Sequence, residues 1–309
     1  MGGRSGMYFV LRTLCRLITA LPLSVALSLG RGVGNLAYLL VRRHRESVLA
    51  EMARCFPGDS ESVLKDRLQR VFQHIGMNYM EVFRWIGGKV DELEGRITLE
   101  GAEHVEAARA CGRGVLVLIG HIGNWDLMGL WAARHYPLTI ISKSLRNEGV
   151  NRFWMEARAR TGLNIVPARK SYRACLGVMK KNGLLGFILD QNTLRKDGVF
   201  VEFYGKEACT SPGLAFLSAH AQAPVVPVFM FRQPDGTHRI QAMPMLDPPP
   251  DREPATIVEA TQRYTRIIED AIRRHPDQWI WMHRRWRTVR PVAVPVPVLA
   301  GSKESEESS

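Results

Sequence analysis

Val115-Leu116-Val117-Leu118-Ile119-Gly120-His121-Ile122-Gly123-Asn124-Trp125-Asp126 is the stretch on which the fold turns. Five apolar residues form a strand buried on both faces; a short loop carrying His121 follows, and Leu127–Ala133 resumes at helical spacing. The same alternation recurs downstream. Leu138–Ile141, Leu184–Leu189 and Val225–Phe231 are apolar runs of strand length, and Val150–Arg160, Tyr172–Lys180 and Pro212–Ala221 are helical stretches between them. Strands alternating with helices predict an α/β fold, a mostly parallel or mixed sheet flanked by helices. In such sheets ligands bind outside the carboxyl ends of the strands, where His121 falls.

Upstream, Ser47–Lys89 is predicted helical with a break at Phe56-Pro57-Gly58-Asp59-Ser60. Leu64, Leu68, Val71, Phe72, Ile75, Tyr79 and Phe83 form a core-facing stripe there. Downstream, a long helix from Ala255 to Arg274 stops at His275-Pro276. The Pro/Val alternation and acidic, Ser-rich end at 291–309 cannot build a core, and this tail is predicted to be disordered.

The first 45 residues hold seven arginines and no Asp or Glu, and Leu17–Gly30 carries no charge. An apolar segment flanked by bases suits an anchor on an anionic membrane surface, single-pass or monotopic. Pro22 and the glycines at 30, 32 and 34 leave a buried hairpin of the main fold as the alternative. The domain reading is therefore an anchor at 1–45, an α/β domain at 46–290 and the tail at 291–309.

With 309 residues, 46% hydrophobic and 23% charged, the chain is an ordinary globular protein of one or two domains. Its net charge is +12, and the tail from Gly301 is itself acidic, so the body expects an anionic partner: nucleic acid, phospholipid, or an acidic substrate or carrier protein. Five cysteines without a CxxC pair indicate free thiols in a reducing compartment, with no zinc module or disulfide framework. No P-loop, dinucleotide fingerprint, nucleophile elbow or zinc-protease motif occurs.

His121 and Asp126, five residues apart across a strand–helix junction, suit a general base. A carboxylate accepting from Nδ1–H fixes the other ring nitrogen as a proton acceptor. A helix-capping or core role is the competing reading. Asp190-Gln191-Asn192 closes a second strand, with Arg195, Lys196 and the Gly198–Gly205 hairpin after it, and Lys143 and Arg146 follow a third. Each alone reads equally as a strand-end turn, a hairpin or a solvated charge; polar residues at three strand ends together favour a site. Trp279-Ile280-Trp281-Met282-His283-Arg284-Arg285-Trp286-Arg287 interleaves aromatics with bases, a pattern for nucleic acid, a membrane interface, or packing of indoles under exposed arginines. Cys209 has no base paired with it in the sequence and is set aside as a nucleophile.

Together these blocks resemble the lysophospholipid/lipid A biosynthesis acyltransferase family, the late acyltransferases, over roughly Arg12 to Arg290. The resemblance rests on His121–Asp126 as an HxGNWE/D block, Asp190-Gln191, and Val201–Gly205 with Ala208 and Thr210. Ala223–Pro227 and His275–Trp286 complete it. It implies a glycerolipid-acyltransferase-like fold on the cytoplasmic face of the inner membrane. The implied reaction moves an acyl chain from acyl carrier protein, or from coenzyme A, to a hydroxyl of a lipid A precursor or another glycolipid. The expected partners are acyl carrier protein, anionic membrane lipid and the glycolipid acceptor, with no nucleic acid, no metal and no cofactor besides the thioester co-substrate. His121 and Asp126 map to the catalytic base and its partner; Asn124, Trp125, Lys143, Arg146, Asp190 and Gln191 are expected to contact substrate. Two positions depart from the family pattern: Asp126 stands where Glu is common, and Lys143-Ser144 where Arg-Pro is usual. An acceptor that is a lysophospholipid or aminolipid is the alternative, as is a non-enzymatic basic binder.

Overall fold

The computed structural model describes residues 2–168 and 171–290. It opens with five helices: α1 (Gly2–Ala20), α2 (Leu23–Leu40), α3 (Arg42–Cys55), α4 (Glu61–Ile86) and α5 (Val90–Glu94). Pro22 separates the first two, and Ser60 caps α4 by accepting from the Val63 amide at 3.4 Å. The predicted break at residues 56–60 lies between α3 and α4. The predicted domain boundary at 45 falls inside α3, and the tail assignment lies outside the described residues.

The α/β portion follows as β1 (Ile97–Glu100), α6 (Ala102–Ala110), β2 (Val115–Ile119), α7 (Trp125–His135), β3 (Leu138–Ser142), α8 (Glu148–Arg160), β4 (Asn164–Pro167), α9 (Tyr172–Lys180) and β5 (Leu184–Ile188). A hairpin of β6 (Val199–Phe203) and β7 (Lys206–Thr210) leads to α10 (Gly213–Ala221), β8 (Val225–Arg232), β9 (His238–Ala242) and α11 (Pro254–Arg274). Seven strands form one sheet in the order β1-β9-β8-β2-β5-β3-β4, parallel at every pairing except β8 with β9. The four apolar runs of the sequence are β2, β3, β5 and β8. Three strands gave no such run. The edge strands β1 and β4 have four residues each and polar, half-exposed positions; β9 alternates buried and open positions.

Side chains alternate across the sheet with period two. Leu116, Leu118, Leu185 and Phe229 pack beneath α3, α10, α11 and the lower part of α4. Val117, Ile119, Leu184 and Val228 face α6, α7 and the end of α4. Of the predicted α4 stripe, Tyr79 is exposed, because the helix turns Gly76, Asn78 and Glu81 inward at that level instead.

Helix α2 is long and apolar enough to cross a membrane by length and composition. One of its faces is committed to α4: a Cβ on Gly34 would lie 2.3 Å from the Phe72 carbonyl oxygen, and one on Gly76 would lie 2.0 Å from that of Gly30. The glycines bring the two backbones together, so this face of α2 is packed within the fold. The opposite face leaves Leu29, Val33, Leu36, Leu39 and Leu40 at least half exposed.

Candidate active site

His121 leaves the end of β2 and meets the end of β5. Its backbone N–H donates to Asp190 Oδ2 at 2.7 Å, and its Nδ1 lies 2.8 Å from Asp190 Oδ1. The indole of Trp279 donates to the same Oδ2 at 2.7 Å. Asp190 is 1% exposed. Burial alone raises a carboxyl's pKa, but the imidazole and these donors outweigh it and hold Asp190 well below the usual carboxylate range. Burial likewise pushes the His121 imidazole down, and Asp190, with a smaller contribution from Asp126, carries it above its ordinary value.

The loop carrying His121 is clamped from two sides. Gly123 has φ +60°, and a Cβ there would lie 1.8 Å from the Met230 carbonyl oxygen, so only glycine fits against the end of β8. Its N–H donates to Gln278 O at 2.8 Å, the Ile280 N–H donates to His121 O at 3.2 Å, and Asn78 donates to Gly123 O at 2.7 Å. Asn124 caps α7 through the Leu127 amide and donates to buried Glu81 at 2.8 Å. Glu81 is in turn gripped by Arg232 at 2.6 Å and His238 at 3.0 Å. The expectation that Asn124 contacts substrate is thereby corrected: its side chain is 1% exposed and its polar ends are bonded within the protein.

The expected His121–Asp126 bond is also corrected. Nδ1 is occupied by Asp190, and Asp126, in the first turn of α7, accepts from Arg158 Nη2 of α8 at 3.3 Å. Arg158 also donates to Ser142 Oγ, at the end of β3. Asp190 therefore follows the end of β5 with the imidazole as its partner, and Asp126 opens α7 with Arg158 as its own.

Gln191 Nε2 lies 3.2 Å from Nε2 of His121 and 3.2 Å from Nε2 of His283. With Nδ1–H given to Asp190, the outer nitrogen of His121 is the acceptor, and the Gln191 amide donates to it. His283 has its imidazole pKa lowered by burial and by the charge of His121; in the sequence it stood only inside a family block, with nothing to single it out. Buried Arg285, pushed down to about 10 by desolvation, donates to the carbonyls of Gln191 and Cys209 and to Thr210. Trp279, Trp281 and Trp286 are buried, so the aromatic-basic run packs its indoles on the hairpin and loop. Burial also raises the Cys209 thiol.

A cavity of about 760 Å³ opens at His121, Trp125, Asp126, Lys143, Arg158 and Gln191. It continues between the sheet and α7, past Gly186, Ile140 and Trp131, to Val228 and Ile240. The volume lies in the range of small-molecule sites, about 300–1,000 Å³, and the inner walls are apolar. Lys143 is exposed at its rim; Arg146 is exposed and is not among its lining residues. Trp125 meets the His121 ring edge-on at 5.2 Å.

The site thus sets an imidazole held by a buried carboxylate, with cations near it, where an apolar cavity opens. The sequence comparisons name the family. The family model for bacterial lipid A biosynthesis acyltransferases matches residues 4–288, and the chain belongs to that family; it is an acyltransferase. The lipid A biosynthesis lauroyltransferase of Escherichia coli (strain K12) is 28% identical over 284 residues, 90% of each chain. A phosphatidylinositol mannoside acyltransferase of Mycolicibacterium smegmatis is 23% identical over 277 residues, 88% of each. The solved 1-acyl-sn-glycerophosphate acyltransferase of Thermotoga maritima covers 81% of this chain and 99% of its own, with a TM-score of 0.39 and 14% identity.

Proposed function

We propose that the chain transfers a fatty acyl group from an acyl thioester, on acyl carrier protein or coenzyme A, to a hydroxyl of a lipid A precursor or a related glycolipid. The observation that carries this reading is His121, held by Asp190, at the mouth of the apolar cavity. The acyl chain occupies the cavity with its thioester carbonyl at the mouth. The acceptor hydroxyl displaces the Gln191 amide from His121 Nε2, gives its proton to that nitrogen and attacks the carbonyl. The tetrahedral intermediate collapses with cleavage of the C–S bond, and the imidazolium returns the proton to the departing thiolate. A positioned base contributes about 10²–10⁴-fold.

The Gly123 N–H is spent on Gln278, so oxyanion stabilisation falls to the cations at the mouth, Lys143 and Arg158, with Asp126 holding the second in place. Membrane attachment is part of the same reading. The exposed apolar residues of α2, flanked by arginines, suit monotopic docking on an anionic inner-membrane leaflet from the cytoplasmic side. The match to a phosphatidylinositol mannoside acyltransferase favours another glycolipid acceptor as the second reading.

Purified enzyme incubated with acyl thioesters and candidate glycolipids, with products identified by mass spectrometry, tests the reading. His121→Ala is expected to abolish transfer while the fold is retained. Near-normal turnover by that variant overturns the base assignment.

A further inference from the structure

Beside the catalytic mouth lies a second, shallower cavity of about 470 Å³, lined by Leu194, Arg195, Lys196, Arg287, Thr288 and Val289. Two segments distant in sequence form its walls, and they are stapled together. Asn192 donates from Nδ2 to Thr288 Oγ1 at 3.0 Å and accepts from the Thr288 amide at 3.0 Å. Thr288 Oγ1 donates to Thr193 O at 2.8 Å, and Arg195 donates to Val289 O at 3.2 Å. Among the described residues none of the three cations Arg195, Lys196 and Arg287 has a carboxylate partner, whereas neighbouring Arg290 is paired with Glu207 at 2.8 Å. Asp197, next in sequence, is not among the lining residues.

We propose that Arg195, Lys196 and Arg287 form an anion site that holds a phosphate ester of one of the two substrates. The inference deepens the acyl-transfer reading and rests on it for the identity of the substrates. Two arginines and a lysine that line one open depression supply several positive charges to a multiply charged oxyanion, and the guanidinium fork matches phosphate oxygens. The site is tied to the chemistry by one strand of chain. Gln191 touches His121, Asn192 and Thr193 line the catalytic cavity, and Leu194–Lys196 line the second. The four residue-to-residue steps from Gln191 to Arg195 span no more than about 14 Å. A phosphate fixed there therefore sets where the rest of its molecule meets the imidazole. Two sources share this chemistry: the phosphopantetheine arm of the donor, and a phosphate on the acceptor sugar.

Calorimetric titration of the full-length protein in detergent separates them. Phosphopantetheine and glucosamine 1-phosphate are the probes; pantetheine and glucosamine are their phosphate-free controls. One phosphorylated probe is expected to bind saturably, at least tenfold more tightly than its control. That margin is lost in the R195Q/K196Q/R287Q variant and reduced in K196Q/R287Q, which keeps the Arg195–Val289 bond. The probe that binds identifies the source. In turnover, KM for the corresponding substrate rises about tenfold with kcat unchanged, as loss of uniform binding requires. Equal binding of probe and control by the unaltered protein, equal probe binding by variant and unaltered protein, or equally tight binding of inorganic sulfate overturns the proposal. Because binding is read without turnover, failure of the acyl-transfer reading leaves this result intact and distinguishable.

Discussion

His121 Nδ1 lies 2.8 Å from Asp190 Oδ1, a pairing made across 69 residues, while Asp126, five residues from the histidine, is bonded to Arg158. The partner that orients the ring comes from the neighbouring strand. Replacing Asp190 by Asn keeps the side-chain shape but removes the charge that favours Nδ1–H. Asp190→Asn is expected to lower kcat by about 10²–10⁴-fold. Steady-state kinetics compared with Asp126→Asn checks this. If Asp126→Asn alone caused such a loss and Asp190→Asn did not, the orienting role would pass to Asp126.

The acid limb of the pH–rate profile follows from the same pair. The base works as neutral imidazole, so activity falls as pH drops through a His121 pKa lying above its ordinary 6.5. In Asp190→Asn the main influence raising that pKa is gone and desolvation remains, which moves the limb to lower pH. Stability follows the opposite sense for the histidine. Its raised pKa contributes stability that is full below 6.5 and is lost as pH rises through the raised value. Asp190, with its depressed pKa, contributes above its ordinary 3.8 and loses that contribution as pH falls through the lowered value. Both contributions are full together between 3.8 and 6.5, and thermal melts of His121→Ala across pH are expected to lose most there.

Gly186 lines the apolar cavity. It lies mid-strand in β5 on the α7 side, where a Cβ would meet Ile119 at 3.2 Å and Ile140 at 3.4 Å. Gly186→Ala is expected to be tolerated. Gly186→Leu fills the passage and shifts transfer toward shorter acyl chains, each methylene being worth about 1–3 kcal/mol. Competition between acyl donors of different length, read by mass spectrometry, measures the shift; an unchanged product distribution rejects the assignment of the cavity to the acyl chain.

The two faces of α2 are expected to fail differently when altered. At the packed face, Gly76→Val on α4 drives a side chain into the Gly30 backbone of α2 and is expected to cost about 1–3 kcal/mol or more, seen as a lower thermal midpoint in detergent.

Leu36, Leu39 and Leu40 are not among the residues of the core clusters, and changing them together to Ser is expected to leave that midpoint in place. These residues are 56%, 66% and 74% exposed, and their loss is expected to weaken sedimentation with anionic vesicles by roughly tenfold or more. Undiminished vesicle binding would remove this face from the membrane contact.

The sequence by itself determined the α/β class, the central strands β2, β3, β5 and β8, the break before α4 and the place of His121 at a strand end, because these depend on local periodicity, caps and turn residues. Asp190 and Gln191 were legible as polar residues closing a strand, but not their hold on His121. That hold comes from packing across the sheet. Strand order puts β5 beside β2, and a ring nitrogen bonds the carboxylate that the sheet brings to it, whatever its distance along the chain. The same holds for Asn124, which the fold buries against Glu81 of α4, and for α2, whose glycines acquire a purpose only where a second helix backbone lies against them. Periodicity reports which residues are buried; which partners they are buried against is settled by the packing of elements far apart in sequence.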